Sequence, residues 1–239
     1  MTKVEALEQL IRDNGGSASW QTIYERIEHY YPAAKCSQQW EAGLRGVLYR
    51  ELYQGKRFKR IGAGIYSLED YEPQSVPSAN SLRMHSFIEG ICVELGNIRG
   101  YQTFTADPSV KYRDNVYLKE IVTMEHIPPF SYQAILDKVK LIDVLWFDKS
   151  QTPFPKYAFE VVDSIGTLDG AFKRCLQLAN FRTQCFIIAP EKHHKKYEET
   201  LTLNLYQGIG DYVSFKSYDN ICATHKTLVE GNDVVNWII

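Results

Sequence analysis

Between residues 3 and 53 the apolar positions follow a helical period. Val4, Leu7, Leu10 and Ile11 form one face, and Asn14-Gly15-Gly16 ends it, because glycine accepts the positive φ of a helix terminus. Ser19 can cap a second helix from Trp20 to about Tyr30, with Trp20, Ile23, Ile27 and Tyr30 on one face and Pro32 just beyond. A third helix is predicted after Ser37 to about Tyr53, burying Trp40, Leu44, Val47 and Leu48. The period then changes: Phe58–Ile61, Gly62-Ala63-Gly64 and Ile65–Leu68 predict strand, turn and strand. Residues 69–83 carry two prolines and three serines with no sustained period, which predicts a linker.

A helix from about Leu82 to Leu95 follows, with Phe87, Ile88, Ile91, Cys92 and Leu95 inward and Gly96 closing it. After a variable region containing Pro128-Pro129 comes a short helix near Tyr132–Val139. Three apolar runs, Leu141–Phe147, Tyr157–Val162 and Cys185–Ala189, then read as strands, with a helix over Leu168–Phe181 between the second and third. The last connection requires a crossover, hence a mixed α/β core. The tail predicts a helix at Glu191–Leu203 and a strand at Tyr212–Tyr218.

Three helices followed by a β-hairpin is the order of a winged helix. The expected fold is therefore α+β in two domains: a winged helix over 1–68, a linker over 69–83 and a mixed α/β domain over 84–239. With 239 residues, 44% apolar and 23% charged, the chain is neither disordered nor a small disulfide scaffold. The five cysteines are odd in number, widely spaced and mostly in apolar surroundings, so they predict buried thiols in a reducing, cytoplasmic setting. No run approaches the roughly 20 apolar residues of a membrane span, so no membrane partner is expected.

Net charge is −2, but residues 1–60 carry +3 and the remainder −5. Residues 45–60 hold six bases against one acid, Glu51. On the third helix Gln38, Ala42, Arg45 and Tyr49 form an outward stripe of the kind that reads a major groove, since Gln pairs bidentately with adenine and Arg with guanine. Lys56, Arg57, Lys59 and Arg60 in the hairpin suit phosphates. Double-stranded DNA is the expected partner, against the plainer readings of a solvated face or a protein-binding module. The segment Glu5–Leu68, with its Trp20 helix, Trp40 helix and closing Phe58-x-x-Ile61-Gly62-x-Gly64-Ile65-Tyr66-x-Leu68, resembles the HARE-type winged helix of restriction endonucleases and chromatin proteins.

Two acids interrupt the apolar strands, Asp143 in Ile142-Asp143-Val144 and Glu160 in Phe159-Glu160-Val161, 17 residues apart. Carboxylates there require a cationic partner, and two adjacent strands could aim both at one divalent ion. With the leading helix carrying Glu89 and Glu94 and a following helix carrying Lys173, Arg174 and Gln177, the region 84–203 resembles the PD-(D/E)xK restriction-endonuclease core. The resemblance implies Mg²⁺, or Mn²⁺, held by Asp143, Glu160 and the Val161 carbonyl for phosphodiester hydrolysis. Val162 departs from the pattern, because the family has Lys, Glu or Gln there. Strand alternation should send Asp163 to the opposite face from Glu160 unless a bulge intervenes, so Lys173 or Gln177 is the expected replacement, with Arg174 on phosphate. The expected function is sequence-specific DNA binding with endonuclease activity, by a homodimer if two strands are cut. The alternative is a catalytically inactive nuclease fold that binds DNA as a regulator or modified-base reader.

Weaker constellations point elsewhere. His193-His194 reads as a solvated surface or a phosphate contact, since adjacent helical residues do not share a ligand sphere. No cysteine pair has zinc spacing, and no phosphate-cradling glycine loop is present. Tyr157 and Phe159 read as core.

Overall fold

The computed structural model describes residues 1–55, 57–72, 77 and 82–229, with 82 and 83 described by backbone alone. Lys56, most of the expected linker (73–76 and 78–81) and residues 230–239 lie outside the described residues. The chain is mixed α/β. The first segment runs α1 (Lys3–Asp13), β1 (Ser17–Ser19), α2 (Trp20–Tyr30), α3 (Trp40–Gln54), β2 (Phe58–Gly62) and β3 (Ile65–Leu68). Thr2 closes a capping box with Glu5 on α1, and the Ser19 hydroxyl accepts from the Thr22 N–H to start α2. The three strands pair antiparallel in the order β1-β3-β2. The apolar faces of all three helices meet in one core of Leu7, Leu10, Ile11, Ile23, Ile27, Leu44, Leu48, Phe58 and Tyr66.

The second segment begins with α4 (Leu82–Ile98) and continues through β4 (Gln102–Thr105), a small hairpin of β5 (Lys111–Arg113) and β6 (Val116–Tyr117), and α5 (Gln133–Val139). Next come β7 (Val144–Phe147), β8 (Pro155–Val161), α6 (Ile165–Leu176), β9 (Gln184–Ala189), α7 (His194–Leu201), β10 (Val213–Ser217) and α8 (Tyr218–Val229). The five-stranded sheet has the order β10-β9-β8-β7-β4, with β10, β9 and β8 parallel and β8, β7 and β4 antiparallel. Because side chains alternate along each strand, the sheet divides two cores. Val144, Trp146, Phe159 and Val161 pack with α4 and α8, while Leu145, Phe147, Ala158 and Val162 pack with α6 and α7.

Several expectations need correction. Helix α4 continues through Gly96, which is not its closure but a close approach: an added Cβ would lie 2.6 Å from both Thr103 Cγ2 and Trp146 Nε1. Gly96→Ala is therefore expected to cost about 1–3 kcal/mol by overpacking, read as a melting temperature lower by roughly 2–10 °C. The variable region after α4 supplies β4, whose pairing with β7 makes β7 internal. Helix α3 begins at Trp40, so Gln38 lies in the turn before it and not on its outward stripe. The tail helix is a 3₁₀ turn (Glu191–His193) followed by α7.

The two segments touch through polar contacts. Ser19 Oγ donates to Glu120 (2.9 Å), Tyr71 Oη to Asp114 (2.6 Å) and Asn115 Nδ2 to the Asn14 carbonyl (2.8 Å). The β2–β3 turn docks on α4: the Ala63 N–H donates to Glu94 Oε2 (2.6 Å), and Arg113 donates to the Ile61 carbonyl. A Cβ on Gly62 would meet Glu94 at 2.8 Å, so only glycine lets the turn come this close. No described helix is long and apolar enough to cross a membrane.

Candidate functional site

The acids converge where β7 begins and β8 ends. Asp143 precedes β7, and its Oδ2 accepts the Val161 N–H at 2.7 Å, tying the two strand ends together. Val161 thus enters the site through its N–H, in place of the expected metal-binding carbonyl. Glu160 is fully buried on the α6 side of the sheet. Its partner is Arg174 on α6, which donates Nε to Oε1 (2.5 Å) and Nη2 to Oε2 in a bidentate pair. Burial pushes the Glu160 carboxyl up to about 8 against the pull of these hydrogen bonds, and the Asp143 charge adds to the rise.

From the other face of the sheet, α4 contributes His85 and Glu89, one turn apart. His85 Nε2 lies 3.5 Å from Glu89 Oε1 and 3.9 Å from Asp143 Oδ2, and its Nδ1 lies 3.0 Å from Asp163 Oδ2. Donor atoms of His85, Glu89 and Asp143 all fall within 4.8 Å of one another, a geometry able to hold a metal ion. Burial opposes charge on His85, but the Glu89 hydrogen bond and the charges of Glu89, Asp143 and Asp163 outweigh it and raise its pKa to about 9. Burial also raises Glu89, with His85 opposing, and raises Asp143, with His85 and the Val161 N–H opposing.

The implied Mg²⁺ site on Asp143, Glu160 and Val161 does not fit this arrangement. Both Glu160 oxygens are taken by Arg174, so of the expected pair Asp143 alone is left to ligate. Neither expected replacement for the missing lysine is bonded to the acids. Lys173 Nζ pairs with Asp169 (2.7 Å), and Gln177 Nε2 donates to the Lys173 carbonyl (3.3 Å). The cation of α6 that reaches the centre is Arg174, which is occupied by a carboxylate and not held out for phosphate.

Asp163 lies, as alternation predicts, on the face opposite Glu160: its carboxylate accepts Tyr218 Oη of α8 (2.5 Å) and contacts His85 of α4 (3.0 Å). His193 is buried, not solvated, and its Nε2 donates to the Asp163 carbonyl (3.2 Å). Glu94, read beside Glu89 as part of the same helix motif, faces away. It is fully buried among Arg113, His225, Tyr112 and the hairpin turn, at 3.2 Å from Arg113, 2.7 Å from His225 and 2.8 Å from Tyr112 Oη.

The expected DNA-binding residues are dispersed over α3 and β2. Ala42 and Tyr49 are exposed, the latter at 50%. Arg45 Nη1 donates to Tyr24 Oη (2.7 Å) and lies 3.5 Å from Glu41. Arg57 pairs with Glu8 (2.8 Å), Lys59 caps the Glu69 carbonyl (3.0 Å) and Arg60 caps the Gly62 carbonyl (3.1 Å). Each of these four cations thus already has a partner within the chain.

The sequence reading missed His85. The available signal was His-x-x-x-Glu on a helix, which places both side chains on one face. Comparison with protein-family models, curated proteins and solved structures finds no match to this chain.

Proposed function

We propose that the chain binds double-stranded DNA and hydrolyses its phosphodiester bonds from the centre around Asp143. The observation that carries this reading is the convergence of Glu89, Asp143, Glu160 and Arg174, from α4, from the residue before β7, from β8 and from α6, at one end of the sheet. The order α4, β4, β7, β8, α6, β9, with two antiparallel pairings followed by a parallel one, supports the restriction-endonuclease-like resemblance. For the first segment, the order α1, β1, α2, α3, β2, β3 supports the winged helix.

A divalent ion bound by the α4-side donors would supply charge to a phosphoryl oxygen and acidify a bound water. The chain's own residues do the rest. Arg174 holds Glu160 in place through Nε and Nη2. Asp163 orients His85, and the Val161 N–H orients Asp143. Cutting both strands of a symmetric sequence would take two copies of the chain. The closed Glu160–Arg174 pair, together with Val162, favours a second reading: a nuclease fold that binds DNA without cutting it.

Plasmid incubated with the protein and Mg²⁺ or Mn²⁺ tests the first reading, which expects nicks that vanish on chelation. Intact plasmid at saturating binding with every ion supports the second. Duplex affinity is expected to fall steeply with salt, and a flat dependence would point to a protein partner. Replacing Lys56, Arg57, Lys59 and Arg60 together should weaken binding on every sequence, whereas Arg45→Ala should alter sequence preference. Equal effects of the two would remove α3 from the groove.

A further inference from the structure

We propose that the centre binds a first-row transition ion of the Mn²⁺ or Zn²⁺ type through His85 Nε2 and the carboxylates of Glu89 and Asp143, in preference to Mg²⁺. The proposal rests on the centre being a functional site, but not on DNA being its substrate.

Two independent features of His85 point to a ligand. A carboxylate only accepts, so the 3.0 Å contact to Asp163 Oδ2 places a hydrogen on Nδ1 and turns Nε2 towards the other acids, where a bound ion would replace the Nε2 proton. A carboxylate behind an imidazole in this way is the usual outer support of a metal-bound histidine, fixing both tautomer and ring plane. That support is itself braced, since Asp163 accepts Tyr218 Oη on its side chain and His193 Nε2 on its carbonyl. The second feature is spacing. At bond lengths of about 2.0–2.2 Å, two ligands of one ion lie roughly 3–3.5 Å apart. The separations of 3.5 and 3.9 Å from Nε2 to the two acids are close to this.

Burial agrees with the assignment. The Glu89 side chain is 4% exposed and that of Asp143 16%, while His85 at 31% leaves one open side for entry. Glu160 stays outside the donor set because Arg174 takes both of its oxygens. One imidazole and two carboxylates suit Mn²⁺ or Zn²⁺, whereas Mg²⁺ prefers oxygen donors and keeps its waters.

Titration calorimetry of the chelator-treated full chain with MnCl₂, ZnCl₂ and MgCl₂ tests the proposal without reference to activity. The expected result is one Mn²⁺ or Zn²⁺ per chain, bound at least tenfold more tightly than Mg²⁺. Asp163→Asn should weaken that ion by roughly 10–100-fold, and His85→Asn by at least as much, with circular dichroism checking the fold of each. Mg²⁺ binding as tightly as the other two, no binding of any ion, or wild-type affinity in Asp163→Asn would overturn it. Should His85→Asn fail to fold, Asp163→Asn carries the test alone. Tight Mn²⁺ binding by a protein that leaves DNA intact would uphold the proposal and remove the hydrolytic reading.

Discussion

Glu94→Ala is expected to lower the free energy of unfolding by about 3–5 kcal/mol, because it strands a buried arginine without its counter-charge. Glu94 is completely buried, and Arg113, whose side chain is 10% exposed, has Glu94 as its carboxylate partner. The same carboxylate accepts from His225, Tyr112 and the Ala63 N–H, so its loss also releases the β2–β3 turn from α4. Burial alone would raise its pKa, but the charges of Arg113 and His225, with the His225 and Ala63 hydrogen bonds, hold it at about 2 against an ordinary 4.5. The unfolded chain therefore binds the extra proton first. The stabilisation is complete above pH 4.5 and disappears as pH falls towards 2. Urea melts of wild type and Glu94→Gln at pH 7 and pH 3 should give a gap that narrows in acid. A pH-independent gap, or a loss below about 1 kcal/mol in Glu94→Ala, would contradict this account of the junction.

Helices α1 and α2 and the strand pair β2–β3 were legible because each carries an unbroken apolar period and a chemical boundary, such as Ser19 before α2, whereas α6, expected over Leu168–Phe181, runs Ile165–Leu176 with a separate 3₁₀ turn at Ala179–Phe181. Strand β4 was not. Gln102-Thr103-Phe104-Thr105 has too few apolar residues to signal a strand, and it exists because β7 offers it a ladder. Gly96 was misread for a related reason. A glycine near a helix end suggests a cap, yet here tertiary contact with Trp146 and Thr103 requires the missing side chain within the helix.

The acids at 143 and 160 stood out because charge inside an apolar strand demands a partner. Which partner each would have was not legible. Arg174 claims Glu160 because α6 packs on the face of β8 from which Glu160 projects, with Arg174 in its last turn. His85 meets Asp163 because α4 packs on the face to which residue 163 points, with Tyr218 of α8 behind it. Both facts are tertiary. The same limit applies to Glu89 and Glu94: five residues apart on one helix, they point to opposite purposes, one into the site and one against the hairpin.

Asp143→Asn is expected to abolish DNA cleavage by roughly 10³-fold or more, about 4 kcal/mol of lost transition-state stabilisation. The amide oxygen can still accept the Val161 N–H, so the junction of β7 and β8 survives, and the residue touches none of the cations on α3 or β2. Duplex affinity should therefore be unchanged. Nicking of supercoiled plasmid by wild type and Asp143→Asn, at concentrations where both are shown to saturate the DNA, is the most direct test of the proposed centre. Ion-dependent nicks from the wild type and none from the variant are the predicted outcome. Equal nicking by both, or intact plasmid under saturating wild-type protein with Mg²⁺, Mn²⁺ and Zn²⁺ alike, would contradict it.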